Sequence, residues 1–208
     1  PPRPVHVVAA QCSPVVAADL SAGMISEVPP GEWVRSLADV EALPFADGSF
    51  DVVLANHLLY HAPNLGTEVA ELRRVLRPGG VLLATTNGDG NLGVLYDVLQ
   101  EAASLVLGAP AARLVPADVG FTLESGSVAL RTTFDDVRIA GTVGALHIDA
   151  ASLDVLRAYY RSTDDEWTAR YGVEWPPLEA ALDAVLARRI ERDGTLVIPT
   201  SSGVLVAS

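Results

Sequence analysis

Apolar strands and amphipathic helices alternate along the middle of the chain, and this alternation restricts the possible folds more than any other feature. Continuous apolar runs lie in "FDVVLANHLLYH", which begins at Phe50, and in "VLLATTN", which begins at Val81. Segments with apolar residues at helical spacing follow them, at 64–76 and 92–107. Continuous apolar strands are typical of parallel sheets that are covered on both faces. The pattern therefore predicts a doubly wound, Rossmann-like α/β domain with a mostly parallel sheet.

Other segments extend this pattern towards both ends of the chain. They are short strands at 15–18 and Trp33–Leu37, a longer strand at Val137–Ile148, and helices at 151–161 and 176–192. The closing "TLVIPTSSGVLVA" predicts an antiparallel carboxyl-terminal hairpin. A length of 208 residues predicts a single domain, in which we expect 108–133 to be an insertion or substrate-side segment.

The composition argues against several classes of function. The net charge is −12, all basic residues are arginine, and no basic cluster is present, so nucleic acid is not an expected partner. No uncharged apolar run reaches the length of about 18 residues that a membrane span needs, so no membrane partner is expected. Cys12 is the only cysteine. It can form neither a disulfide within the chain nor a cysteine-based zinc site, and we expect a cytoplasmic protein without a bound metal.

Polar residues follow several of the predicted strands. Asp19, Asp39 and Asn56 are each the first polar residue after an apolar run. In parallel α/β sheets, ligands bind beyond the carboxyl ends of the strands. Taken alone, each of these residues is better explained as a cap of the following turn or helix, but the three at corresponding strand ends together favour a ligand site.

Three segments carry a family resemblance. "VVAADLSAGM", "DVEALPFADGSFDVVLANHLLYH" and "ELRRVLRPGGVLLATTNG" resemble, in this order and spacing, the class I S-adenosylmethionine-dependent methyltransferases. The resemblance points to the small-molecule branch that includes the ubiquinone and menaquinone biosynthesis enzymes, and it covers residues 15–88. It implies that S-adenosylmethionine is the cofactor and that a small molecule accepts the methyl group.

The resemblance also implies roles for individual residues. Asp19 would bind the ribose hydroxyls, and Asp39 the adenine amino group. The residues expected nearby are Leu20 and Met24 on the adenosine side, Val40 near the ring, and Asn56 and His57 beside the methionine portion and the methyl group. His57 and His61 are candidate general bases, although His61 matches a position that is often structural. Because methyl transfer depends mainly on alignment, no base is required.

The family's first strand and its glycine-rich G-x-G-type loop have no counterpart before Asp19. A parallel neighbour needs a connection of a dozen or more residues, and Gln11–Pro14 is too short for one. Either the sequence begins after that motif or the chain is a rearranged homologue without a working cofactor site. We expect the first, with an incomplete first-strand region and weak cofactor binding.

Three functions follow, in order of preference. The first is an S-adenosylmethionine-dependent methyltransferase acting on a small molecule. The second is a catalytically silent methyltransferase-like protein that serves as a binding partner or scaffold. The third is a nicotinamide-dependent oxidoreductase, because an acid after the second strand also suits that cofactor. The acceptor atom (oxygen, nitrogen or carbon) and the choice between monomer and homodimer stay open.

Overall fold

The computed structural model describes residues 8–61, 63–114 and 120–208. Its elements are, in chain order, β1 (Val15–Asp19), α1 (Ala22–Glu27), β2 (Trp33–Leu37), β3 (Phe50–Asn56), a 3-10 turn (Leu59–His61), α2 (Leu65–Val75), β4 (Leu76–Asn87), α3 (Gly93–Leu107), α4 (Leu123–Leu130), β5 (Val137–Ile148), α5 (Leu153–Arg161), α6 (Asp164–Tyr171), α7 (Trp175–Asp193) and β6 (Leu196–Ala207).

The strands form two sheets. β1 and β2 make a parallel pair, and the other four strands follow the order β3-β4-β6-β5. Within the larger sheet β3 and β4 are parallel, whereas β6 runs antiparallel to both of its neighbours. This mixed sheet between helices confirms the predicted Rossmann-like α/β class, with parallel strands early in the chain and antiparallel strands at its end.

The antiparallel pair at the carboxyl end differs from the prediction. "TLVIPTSSGVLVA" does not fold back as a hairpin, because β6 continues through it and pairs along its whole length with β5. Gly203 lies opposite Gly141, and a Cβ atom on Gly203 would lie 2.6 Å from the Ala140 carbonyl oxygen. The glycine therefore permits a close approach of two strands instead of a turn. Pro199 is tolerated because β6 pairs with β4 only from Ser202 onwards.

Part of the segment expected as an insertion lies in the core. Sequence reasoning missed α4, which begins at a capping box formed by Thr122 and Ser125. Phe121, Leu123 and Leu130 are buried against the sheet. Residues 115–119 of the expected insertion lie outside the described residues.

The two faces of the larger sheet are covered unequally. On one face, Leu82 and Ala84 of β4 and Leu205 of β6 are fully buried beneath α2 and α4. We call the opposite side the open face; its residues are Val52, Leu54, Val81, Leu83, Val204 and Val206. Val52 and Leu54 are exposed, and the others are half-buried.

A second core lies between the later helices. α3, α5, α6 and α7 pack their apolar faces together with the far ends of β5 and β6. Tyr160 and Trp167 are buried there, and Tyr159, Tyr171 and Trp175 pack partly buried around them. The aromatic residues near the carboxyl end thus serve helix packing.

Candidate functional site

Two carboxylates lie at the carboxyl end of the smaller sheet. Asp19 is the last residue of β1 and pairs with Leu37, the last residue of β2. Asp39 lies two residues after Leu37 along the chain. One oxygen of Asp19 accepts the Ser21 N–H at 2.8 Å, and one oxygen of Asp39 accepts the Glu41 N–H at 2.9 Å. Asp19 is half-buried and Asp39 is exposed. Because a carboxylate has about four acceptor positions, each turn orients its acid and leaves it able to bind further donors.

Apolar side chains beside Asp19 are uncovered. Leu20 is 69% exposed and Met24 is 59% exposed. Val40, by contrast, is half-buried and packs against the core of the larger sheet. Of the three residues expected near the adenosine, Leu20 and Met24 are therefore free to pack on a ligand, whereas Val40 already packs within the protein.

Asn56 and His57 lie at the end of β3 and are oriented by Thr85 of β4. The Thr85 hydroxyl donates to Asn56 Oδ1 at 3.4 Å and accepts the His57 N–H at 3.0 Å. His57 adopts a left-handed backbone conformation with φ 47°. Sequence reasoning missed Thr85, although it ends an apolar run in the same way as the three residues that were selected.

A wide trough of about 490 Å³ opens next to His57. We call it the His57 trough; it is lined by His57, Thr85, Ala140, Gly141, Thr142, Ser202, Gly203 and Val204. These residues occupy one row across β4, β6 and β5, because Thr85 pairs with Val204 and Val204 pairs with Ala140. His61 is not among the lining residues, and its ring lies 4.5 Å from that of Tyr60. Of the two candidate bases, only His57 faces the trough.

No hydrogen bond between strands joins the two sheets within the described ranges, so the carboxylate pair and the His57 trough belong to separate sheets. The loop after β2 connects them by packing on α2. Glu71 accepts the Leu43 N–H at 2.9 Å. Arg74 donates to the carbonyl oxygens of Leu43 and Phe45 and forms ion pairs with Glu71 and Asp47.

Glu68 is a buried acid on α2, one helical turn before Glu71. It is fully buried, and neither carboxylate oxygen has a hydrogen-bond partner. Burial, together with repulsion from Glu41 and Asp39, raises the pKa of Glu68 to about 7. Sequence reasoning did not select this residue.

Two further observations limit the types of site. In the parts of the chain that the structure describes, no helix is both long and apolar enough to cross a membrane. In the same residues, no three or more His, Cys, Asp or Glu side chains are grouped so that they could hold a metal ion.

Comparison with known proteins finds a family match over the first part of the chain. Residues 3–84 match the family model described as a methyltransferase domain, and this range holds all the residues expected at the cofactor. Over this range the chain is similar to the class I S-adenosylmethionine-dependent methyltransferases. The resemblance of the three sequence segments is thereby confirmed.

Individual relatives match the chain over parts of their length. Uncharacterized protein YafE of Escherichia coli (strain K12) is 38% identical over 88 residues, which are 39% of this chain and 42% of YafE. The malonyl-[acyl-carrier protein] O-methyltransferase of Pseudescherichia vulneris is 33% identical over 117 residues, which are 49% of this chain and 47% of the relative. The chain thus spans about half the length of the curated relatives it matches.

A solved structure agrees with the fold. A protein proposed to be a methyltransferase from an antibiotic biosynthesis pathway of Anabaena variabilis ATCC 29413 superimposes with a TM-score of 0.57 and 18% sequence identity. The alignment covers 98% of this chain and 85% of that protein. At this identity the likeness shows that the methyltransferase-family fold is shared, and nothing about the reaction.

Proposed function

We propose that the chain is an S-adenosylmethionine-dependent methyltransferase acting on a small-molecule acceptor. The observation that carries this proposal is the pair of carboxylates, Asp19 and Asp39, at the ends of neighbouring parallel strands within the matched range. Carboxylates in this position suit the hydroxyl and amino groups of an adenosyl moiety.

The residues present fit the cofactor at its adenosyl end. Asp19 would accept hydrogen bonds from the ribose hydroxyls, and Asp39 would accept one from the adenine amino group. Leu20 and Met24 would cover the apolar surface of the nucleoside, which accounts for their exposure in the described structure. When bound, S-adenosylmethionine supplies the methyl group on a sulfonium that serves as the leaving group.

The remaining residues would align the acceptor. Asn56 and the backbone of His57 are held by Thr85, and His57 and Thr85 line the trough, beside which the methyl group would lie. Alignment of two reactants can remove about 7–11 kcal/mol from a barrier, so positioning supplies most of what this reaction needs.

Calorimetry with S-adenosylhomocysteine tests this function. We expect measurable binding by the unchanged chain and loss of the binding heat in Asp19→Asn, because the ribose would lose a charged acceptor worth about 1.5–3 kcal/mol per hydrogen bond. The matched control is Asp51→Asn, near the opposite end of β3, where Asp51 forms an exposed ion pair with Arg77. Equal binding by Asp19→Asn and the unchanged chain would contradict the assigned cofactor site.

A second candidate is a catalytically silent methyltransferase-like protein that binds a partner. The exposed apolar side chains of Val52 and Leu54 on the open face favour it, because exposed apolar patches often mark interaction sites. This candidate predicts no binding heat with S-adenosylhomocysteine for the unchanged chain or for either variant.

We also propose a cytoplasmic location, for which the support is a single cysteine, Cys12, that is free and exposed. An exposed free thiol is compatible with a reducing compartment. Fractionation of cells that express the chain, with thiol labelling of Cys12 in each fraction, tests the location.

A further inference from the structure

The His57 trough carries no charged group opposite His57. Its other lining residues are small and neutral; Thr85, Thr142 and Ser202 offer hydroxyls, and Gly141 and Gly203 bring backbone to the surface. Such a lining can hydrogen-bond to a neutral acceptor, but it offers no cation to an anionic one.

The arginines of the described residues are all engaged elsewhere. Most form ion pairs with carboxylates, and the rest donate to backbone carbonyl oxygens: Arg35 to Val28, Arg73 to Leu76 and Arg131 to Val137. The chain contains no lysine and has a net charge of −12. A carboxylate or phosphate entering the trough would therefore meet a protein of negative net charge, and no arginine of the described residues is unpaired to offset its desolvation.

We propose that the acceptor is a neutral alcohol, phenol or amine, that a carboxylate or phosphate is excluded, and that His57 receives the proton of the reacting group. This inference rests on the proposed function. A carboxylate acceptor is already ionised and needs no base, whereas a neutral hydroxyl or amine must lose a proton during transfer.

The reaction balances with the groups named. The acceptor oxygen or nitrogen forms a bond to the methyl carbon, and the carbon–sulfur bond breaks with its electron pair remaining on sulfur. The proton of the acceptor passes to the imidazole of His57. The Thr85 contact fixes the backbone of His57, so the ring is held at the edge of the trough.

This acceptor class differs from that implied by the name of one relative. The Pseudescherichia vulneris protein is described as acting on malonyl-[acyl-carrier protein], and a malonyl group bears a free carboxylate. On our proposal this chain does not accept that substrate, because its trough has no cation to bind the carboxylate.

Three phenols of different charge test the acceptor class. Binding of 4-hydroxybenzamide, tyramine and 4-hydroxybenzoate to the full chain is followed by NMR through the amides of Thr142 and Ser202. We expect the neutral and cationic probes to bind at least tenfold more tightly than the benzoate. Thr142→Arg should reverse this order, and Thr132→Arg, on an exposed turn outside the trough, should not. Tighter or equal binding of the benzoate by the unchanged chain, or no binding of any probe, would overturn the proposal.

A second comparison tests the role of His57. We expect 4-hydroxybenzamide to shift the imidazole nitrogen resonances of His57, and 4-methoxybenzamide, which has no phenolic proton, to shift only the trough amides. Equal imidazole shifts with both probes would remove His57 from the proposal. His57→Asn, which tolerates a left-handed backbone, should weaken the preference for the phenol over its methyl ether. Binding of S-adenosylhomocysteine, measured on the same samples, shows separately whether the proposed function fails.

Discussion

The β1–α1–β2 unit and the packed carboxyl-terminal helices differ sharply in burial. In the first, α1 buries no residue, and Val15 is the only apolar side chain of β1 or β2 that counts as buried. Leu37 of β2 is 60% exposed. In the second, α7 alone buries five apolar side chains, among them Leu186, which is 1% exposed.

This difference separates the residues that would bind the cofactor from those that stabilise the fold. Asp19 and Asp39 lie at the end of a unit with few buried contacts, and such units open at low free energy. The carboxyl-terminal core provides the packing on which global stability depends. We infer that the cofactor end is the least stable part of the described chain and that a ligand would order it.

The largest effect expected from this difference in burial is on the free energy of unfolding, and it is seen by comparing a leucine-to-alanine substitution in each region. Leu186→Ala should lower the free energy of unfolding by about 2–5 kcal/mol, because it leaves a cavity in the core. Leu37→Ala should change it by less than about 0.5 kcal/mol, because the side chain is mostly solvated. Urea unfolding followed by circular dichroism measures both. A similar loss of unfolding free energy in the two variants would contradict the difference in packing between the two regions.

The next largest effect is the pH dependence of stability caused by Glu68, which lies beneath the loop that carries Asp39. The pKa of Glu68 is raised to about 7 in the folded protein, above the ordinary value of 4.5. The folded state therefore binds more protons than the unfolded state between these values, and the stability present at low pH is lost as the pH rises through 7.

Replacement of Glu68 should remove this dependence. At pH 8, Glu68→Met should raise the free energy of unfolding by about 1–3 kcal/mol, because the variant no longer buries an unpartnered carboxylate. At pH 5 the gain should be smaller. Denaturation at both pH values measures it, with Glu32→Met as the exposed control. An identical gain at both pH values would show that Glu68 does not titrate as described.

The smallest expected effect is local and concerns the loop after β2, which connects the β1–α1–β2 unit to α2. Arg74 binds the Leu43 and Phe45 carbonyl oxygens, so Arg74→Met should release the loop that follows β2. We expect faster hydrogen exchange at the amides of Glu41 and Leu43, with little change in the unfolding midpoint. Arg77→Met, which removes an exposed ion pair with Asp51, is the control. Unchanged exchange in Arg74→Met would mean that apolar packing alone holds the loop.

Local patterns were sufficient to predict much of the fold. β2 and β5 have the predicted limits, and α3 and α7 lie within a residue or two of theirs. The helix predicted at 64–76 is observed at Leu65–Val75, because the following Arg-Pro-Gly-Gly segment cannot continue it. Such signals act over a few residues, so the sequence contains them directly.

Long-range pairing was not predictable in the same way. β6 pairs with β5 across three intervening helices, and nothing within "TLVIPTSSGVLVA" distinguishes that arrangement from a local hairpin. The short helix α4 was missed because Gly and Ser interrupt its apolar pattern. Its burial depends on a sheet face that only the folded chain provides.

The candidate site was predictable in position but not in all of its members. β1 ends at Asp19 and β3 ends at Asn56, as the apolar runs indicated; the roles of these residues stay predictions. Glu68 resembles an ordinary acid in the first turn of a helix, where the helix dipole favours negative charge, and its burial depends on the loop packed against α2. The His57 trough depends on strand order, which local patterns did not give.

Hydrogen–deuterium exchange with and without S-adenosylhomocysteine tests most directly the claim that the cofactor binds at the loosely packed end. We predict that the ligand slows exchange at the Ser21 and Glu41 amides, whose acceptors are Asp19 and Asp39, and leaves the amides of α7 unchanged. Protection confined to the carboxyl-terminal helices, or no protection at a ligand concentration that saturates the calorimetric signal, would contradict the account.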